Sequence, residues 1–576
     1  MDNLLREISE TVYQKGDPPK SMALLRRRAE KDLPEMKKVL RSFGYFRGKV
    51  TFSIISPEQD FKPDPDAVEQ VPDADTPQVR PYTVRFEIEP GPRFTLSNPV
   101  IVLTLDVPSG TLVPPTPTEA GIAPNSPYSA RRILNAGKFV LNHYKDNGYP
   151  FPKIAERNVK ADFATNTVEI RFEVSPGPAA VFGDTHIEGL KQLKPAYVQA
   201  LLTWKPGQPY DIRRIEAARK VLFDTGLFSL VEFQNPEELA GGDRLPITVR
   251  LKERAPRTVR AAVEYTTDFG PGISGSWTHR NLFGMAERLT ASAILNRKIR
   301  TASIRFEKPM FIDKANTFIS NNILSDETTD AYDARSVDVS GIVERQFSRT
   351  FKAGTGLGFR YGRVKQESDD LETTYHLLYI PITANQDTRL NLLNPTQGYA
   401  LFLDMAPYQD VKEGDLRFFR YLLTGSTYYN FNSGDKVVVA VRASFGQVFG
   451  ISHDDMPADL RFYAGGGGSV RGYAYQAAGP VQGDIPLGGL SVLTFSLELR
   501  LRITDSVGLV PFLDGGSAFV NRVPDFDDQD ILYGAGIGLR YYTAIGPIRL
   551  DVAVPINRRK GVDDSFQFYV SIGQAF

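Results

Sequence analysis

The residues of this 576-residue chain that could do chemistry are few and do not converge. Five histidines, His143, His186, His279, His376 and His453, show no H-E-x-x-H and no paired metal spacing. Cysteine is absent, which excludes a thiol nucleophile, a disulfide and a Cys-based zinc site. His453-Asp454-Asp455 could serve a hydrolase, but solvated loop polarity explains it more simply. Gly465-Gly466-Gly467-Gly468-Ser469-Val470-Arg471-Gly472-Tyr473 lacks the Gly-Lys-Ser/Thr of a phosphate-binding loop. The alternating Gly534, Gly536 and Gly538 have the wrong spacing for a dinucleotide loop, and no helix follows them. The expectation is therefore a protein that is not an enzyme and uses no metal or cofactor. Its most informative polar residue is Arg471, a lone cation in a glycine-rich segment.

The elements around Arg471 explain why. From about residue 259 the chain alternates with period two. In Leu493–Ile503 the apolar Leu493, Phe495, Leu497, Leu499, Leu501 and Ile503 interleave with Thr494, Ser496, Glu498, Arg500 and Arg502. Ile548, Leu550, Val552, Val554 and Ile556 repeat the pattern, with Arg549 and Asp551 between them. A soluble sandwich could also alternate. Two features favour a membrane barrel: recurrent Arg and Glu on one face, suited to a wet lumen, and runs long enough to cross a bilayer when tilted. Sixteen strands are expected, starting near residues 259, 272, 287, 300, 316, 333, 351, 374, 398, 416, 436, 490, 507, 532, 546 and 565. Glycines 354, 356, 358 and 362, like 534, 536 and 538, fall on one face and suggest a partly filled lumen. One inter-strand connection, residues 451–489, is far longer than the others, and long loops are commonly functional.

Composition agrees. Lys+Arg and Asp+Glu are both 68, which argues against a generally basic nucleic-acid binder. No apolar stretch is long enough for a spanning helix, and a mean hydropathy of -0.25 does not exclude a barrel. Phe (36), Tyr (25), Gly (48) and Pro (40) favour strands and turns over long helices.

The first half holds a repeat. Three segments each read as an amphipathic helix, an aromatic-Gly turn at Gly44, Gly148 or Gly226, and two strands. Pro90-Gly91-Pro92 and Pro176-Gly177-Pro178 close the first two. Val168, Ile170, Phe172 and Val174 share one face of a strand, against Glu169, Arg171 and Glu173 on the other. The second and third units open with a strand and the first with a helix. The expectation is a missing first strand and a longer precursor that carried a leader.

Val470-Arg471-Gly472-Tyr473 resembles the VRG-F/Y motif of the BamA/TamA superfamily of outer-membrane insertases and translocators. Phe512-Leu513-Asp514-Gly515-Gly516 resembles that family's F-x-D-x-G strand, and His279-Arg280-Asn281-Leu282-Phe283-Gly284 a turn found in it. The resemblance implies that the long loop is the sixth extracellular one, folded back into the barrel. It further implies a lock made by Val470, Arg471, Gly472 and Tyr473 against Phe512, Asp514, Gly516 and Glu498. The repeats then resemble POTRA modules at 1–92, 93–178 and 179–256, ahead of a barrel at 257–576. Three modules and sixteen strands resemble the TamA-type members most. For these the resemblance implies outer-membrane residence, periplasmic modules, a TamB-like partner anchored in the inner membrane, unfolded outer-membrane clients and contact with outer-membrane lipid. A strand ending on a terminal aromatic is similar to the C-terminal signal of outer-membrane proteins. Closure of the barrel would bring Val259 and Val263 on the first strand to Ile572, Gly573 and Phe576 on the last, as a lateral seam. A two-partner secretion transporter, a BamA-like insertase and a passive porin stay open as alternatives.

Overall fold

The computed structural model describes residues 1–576 except 15, 18, 20, 57–81, 106–109, 240, 267, 370, 413, 415, 432–433, 528–529, 544–545 and 573. The chain divides into two compact units. One holds Met1–Glu188, Leu201–Thr225 and Leu230–Leu251; the other holds Gly189–Ala200, Gly226–Ser229 and Lys252–Phe576.

The N-terminal part is built from helices laid against small sheets. Helices α1 (Asp2–Ile8), α2 (Glu10–Tyr13) and α3 (Met22–Ser42) precede the antiparallel pair β1 (Lys49–Ile55) and β2 (Thr83–Glu89). Next come β3 (Thr95–Leu96), β4 (Val100–Leu103), α4 (Ala130–Lys145), β5 (Lys153–Asp162) and β6 (Thr167–Ser175), with β6 central. Then β7 (Val181–Glu188), α5 (Pro195–Leu201), α6 (Ile212–Asp224), β8 (Phe228–Gln234) and β9 (Arg244–Glu253) form a sheet of order β7-β9-β8. Helix α4 shows how sequence sets this architecture. Ile133, Ala136, Gly137, Val140 and Tyr144 are buried, a spacing of three and four that makes one stripe. The stripe packs on Val168, Ile170, Phe172 and Val174 of β6, all at most 1% exposed. The helix ends because Gly148 takes φ +98° and the Tyr149 N–H returns to the Tyr144 carbonyl at 3.1 Å. Gly44 (φ +94°) ends α3 in the same manner.

From Arg257 onward the chain forms a closed antiparallel barrel. Its strands are β10 (Arg257–Thr266), β11 (Gly270–His279), β12 (Arg288–Leu295), β13 (Ile299–Pro309), β14 (Asn316–Thr328), β15 (Tyr332–Gln346), β16 (Phe351–Gln366), β17 (Glu372–Tyr379), β18 (Ile382–Asp387), β19 (Gly398–Asp410), β20 (Arg417–Asn430) and β21 (Val437–Phe449). Two short strands of the long loop, β22 (Val481–Gln482) and β23 (Ile485–Pro486), pair with each other. The wall resumes with β24 (Ser491–Arg502), β25 (Val507–Phe519), β26 (Leu532–Thr543), β27 (Gly546–Pro555) and β28 (Gln567–Ile572). Seventeen wall strands replace the expected sixteen because one is interrupted. Both β17 and β18 pair with β16 and with β19, so the two make one stave broken at Ile380-Pro381. Proline has no N–H to give the ladder. Among the described residues, no helix is long and apolar enough to cross a membrane.

The wall is apolar outside and polar inside. In β24 Leu497 and Leu499 are exposed, while Thr494, Ser496, Glu498 and Arg500 are buried. This suits hydrocarbon outside and a filled interior.

The ends of the barrel differ from the expected seam. The last strand stops at Ile572 and does not reach Phe576. Among the described residues, the one ladder pair between β10 and β28 is Thr266 with Tyr569. Val259 and Val263 pair with Trp277 and Ile273 of β11 and, among the described residues, with no residue of β28; they are 76% and 84% exposed. Phe576 does not lie on the outer face. It turns into the lumen, where its carbonyl accepts from Arg500 Nη2 at 2.9 Å and its ring packs against Tyr428, Val438 and Ala440. Gln574 follows the same path, its side-chain oxygen accepting from Arg540 Nε at 2.8 Å and its N–H donating to Leu393 at 3.1 Å. The tail's polar groups thus find cationic and backbone partners inside. Gly573 lies outside the described residues.

Candidate functional site: a cationic loop clamped in the barrel lumen

The connection from β21 to β24 folds into the barrel and fills much of it. Its Met456, Ala458, Leu460, Phe462, Val470 and Tyr473 join one buried cluster with wall residues Tyr332, Val364, Tyr375, Leu377, Phe418 and Val448. At its tip Arg471 is 1% exposed. Its Nε donates to Asp514 Oδ2 at 2.6 Å and its Nη2 to Asp514 Oδ1 at 2.9 Å, a two-pronged pairing. Its Nη1 donates to Glu498 Oε1 and to Asp551 Oδ2, both at 2.8 Å. The Arg471 backbone N–H also reaches Asp514, at 3.1 Å. The guanidinium lies 3.5 Å above the centre of the Phe512 ring, a cation–π contact.

Three strands supply these acids: Glu498 from β24, Asp514 from β25 and Asp551 from β27. All three are 0% exposed, so each needs cationic partners to remain charged. Arg500 Nε donates to Glu498 at 2.9 Å, Arg549 Nε to Asp551 at 2.6 Å, and Arg540 pairs with Asp551 as well. Four arginines therefore share three carboxylates, and Arg471 is the one that touches all three.

Glycines make the room. A Cβ on Gly534 would stand 1.8 Å from the Arg471 carbonyl oxygen, and one on Gly536 would stand 2.4 Å from the Phe512 ring. Gly472, at φ +103°, lies against the backbone of Val554, where a Cβ would come within 2.9 Å. On the opposite wall, Gly358 and Gly362 of β16 leave space for the rings of Tyr379 and Tyr375.

The loop has a second hold there. Asp459 accepts from Arg360 Nη2 at 2.8 Å and from the Tyr375 hydroxyl at 2.5 Å. Arg360 Nε also donates to that hydroxyl, at 3.0 Å.

Of the residues singled out from sequence, Arg471, Asp514, Glu498 and Phe512 meet at one point. Val470 and Tyr473 are buried beside them, and the Tyr473 hydroxyl donates to the Tyr533 carbonyl at 3.2 Å. Gly516 holds φ +153°, and a Cβ there would stand 2.4 Å from the Leu493 oxygen. The 279–284 turn is self-braced: the Glu287 carboxylate accepts the N–H groups of Phe283 (3.2 Å) and Met285 (2.9 Å). His453 lies at the start of the loop, its ring nitrogens 3.2 Å from the Gly488 carbonyl and 3.2 Å from Asp454. Sequence reasoning did not single out Asp551, Arg540, Arg549, Asp459 or Arg360 as site residues. One signal was available. Arg540 and Arg549 sit opposite each other on neighbouring strands, and such a pair needs a shared acid; Asp551 is two residues from Arg549.

A membrane barrel whose sixth far-side connection is clamped into its own lumen by an arginine defines a class of outer-membrane protein. Residues 281–576, just over half of the chain, match the Omp85 superfamily domain, and the chain belongs to that superfamily. Residues 180–254 match the POTRA model, described as a surface antigen variable number repeat. The chain is 22% identical over 461 residues to the outer membrane protein assembly factor BamA of Nitratidesulfovibrio vulgaris, covering 76% of this chain and 56% of that one. It is 23% identical to a SAM50-like protein of Schizosaccharomyces pombe, covering 67% of this chain and 89% of that protein. BamA from Haemophilus ducreyi lacking POTRA domains 1–3 shares the fold, with TM-score 0.70, 19% identity, and coverage of 83% of this chain and 99% of that one. The chain thus spans little more than half the length of the first of these relatives. It is an outer-membrane protein with periplasmic POTRA structure.

Proposed function

We propose that this chain is a TamA-type assembly factor that inserts other outer-membrane proteins through its lateral seam. Residues 1–92, 93–178 and 179–256 are its periplasmic POTRA modules, and 257–576 its barrel. The modules dock a TamB-like partner, and the clients are unfolded outer-membrane proteins, autotransporters among them. Arg471 with Asp514, Glu498 and Phe512 is the lock that keeps the loop inside. The observation that carries the reading is that, among the described residues, β10 and β28 share a single ladder pair, Thr266 with Tyr569. Every other neighbouring pair of wall strands is joined by a run of paired residues. Among the described residues, the rest of the β10 edge has no partner on β28, and exposed backbone donors and acceptors of this kind template pairing with an incoming strand. Hydrocarbon offers those groups no alternative partner.

The test is a covalent seam. Continuing the Thr266–Tyr569 register would set Val263 opposite Ile572. Cysteines at these two positions, oxidised to a disulfide in an otherwise cysteine-free chain, should abolish client insertion into vesicles, and reduction should restore it. Undiminished insertion with the bond fully formed would overturn the gate. A large, steady conductance unchanged by Arg471→Ala would favour a porin instead.

A further inference from the structure

Among the described residues the seam has one ladder pair, and beside it on the outside the Tyr265 and Phe568 rings stack at 5.8 Å. On the inside the long loop touches both edges. From the first hairpin, Asp268 is 7% exposed and accepts the Gly467 N–H on Oδ2 at 2.8 Å. From the last strand, the Tyr569 hydroxyl accepts the Gly472 N–H at 3.3 Å and donates to the Tyr473 carbonyl at 3.4 Å. The glycine tract fits between these edges because it has no side chains. A Cβ on Gly466, which holds φ +88°, would stand 2.8 Å from Asp268 Oδ2, and one on Gly467 would stand 2.9 Å from the Tyr569 ring.

We propose that Gly466–Tyr473 is an internal staple across the far end of the seam, with Asp268 and Tyr569 as the positioning residues it grips. Withdrawal of the loop from the lumen and parting of β10 from β28 are then one event. The two ends of the tract differ in strength. Arg471 is held by three carboxylates, whereas Asp268 offers one oxygen to a backbone N–H. Its second oxygen has no hydrogen-bond partner among the described residues. A buried carboxylate left half-satisfied gains from rehydration, so this end is built to release. The Arg471 clamp therefore sets whether the staple is available, and the Asp268 contact sets how readily the seam parts.

The test needs no client, so it stands or falls separately from the insertion reading. The full chain is placed in lipid nanodiscs with nitroxide labels on Arg297→Cys and Lys560→Cys. These are exposed positions in far-side turns on either side of the seam. Distances are read by pulsed electron paramagnetic resonance. The unsubstituted background should give one narrow distribution. Asp268→Ala and Gly467→Ala should each add a population longer by about 5 Å, one strand spacing. Asp268→Asn, which keeps an acceptor oxygen, should return the narrow distribution. Heat-modifiable gel mobility checks that each barrel is folded, and Tyr569→Phe is a milder variant should Asp268→Ala not fold. Unchanged distances in folded Asp268→Ala and Gly467→Ala barrels would overturn the staple.

Discussion

Strand β6 of the soluble part and strand β24 of the barrel follow the same period-two rule with opposite outcomes. In β6 Val168, Ile170, Phe172 and Val174 are buried, and Glu169 and Arg171 face water. In β24 Ser496, Glu498 and Arg500 are buried, and Leu497 and Leu499 face outward. Alternation fixes that a strand has two unlike faces; the solvent decides which face becomes the interior. A charged face in water makes only weak, screened contacts. The same face turned into a loop-filled lumen must find partners of opposite charge there, because an unpaired buried charge is costly.

Removing charge from the two interiors separates these cases. Arg471→Ala should destabilise the barrel by about 3–5 kcal/mol, since it leaves the buried Asp514 without its cation while Glu498 keeps Arg500 and Asp551 keeps Arg540 and Arg549. Urea unfolding in vesicles, followed by gel mobility, would measure it. Proteolysis within 455–480 should become rapid as the loop leaves the lumen. Arg471→Lys should restore only part of the loss, because an ammonium cannot make the two-pronged contact with Asp514. A barrel as stable as the parent, with its loop still protected, would show that the wall is polar for solvation alone.

Placing charge on the outer face tests the other half of the comparison. Leu499→Arg should cost about 2–4 kcal/mol if the position lies near mid-bilayer, and less nearer an interface. The same unfolding measurement applies. A neutral result in lipid would mean that this face meets water.

The comparison also explains what was legible in the chain. The starts of the wall strands could be located because alternation and turn residues are local signals. The break between β17 and β18 lies at Pro381, a visible residue whose effect depends on neighbours on both sides. Arg471, Asp514 and Glu498 could be singled out from a motif and from strand parity. Asp459 could not, because its partners Arg360 and Tyr375 lie about a hundred residues away and meet it only through the folded loop. Arg540 and Asp551 pair across one hairpin, but their place beside Arg471 depends on where the loop enters the lumen. The inward path of Gln574 and Phe576 was hidden for a related reason. Periodicity continues to the chain end, and nothing local marks where a strand leaves its ladder for partners such as Arg500 and Arg540.

Charge on the water-facing side of β6 should matter least. Arg171 on β6 makes an ion pair with Glu173 at 2.9 Å, but its side chain is 54% exposed. Water already solvates both groups, and holding two long side chains in one geometry costs entropy. Arg171→Ala should therefore change stability by less than about 0.5 kcal/mol, measured by chemical unfolding of the full chain and followed by a probe in the soluble part. The substitution removes an arginine with a carboxylate at hydrogen-bond distance, as Arg471→Ala does. If the two variants lost similar stability, burial would not be the variable that sets the worth of these arginines, and the contrast between the two strand interiors would fail.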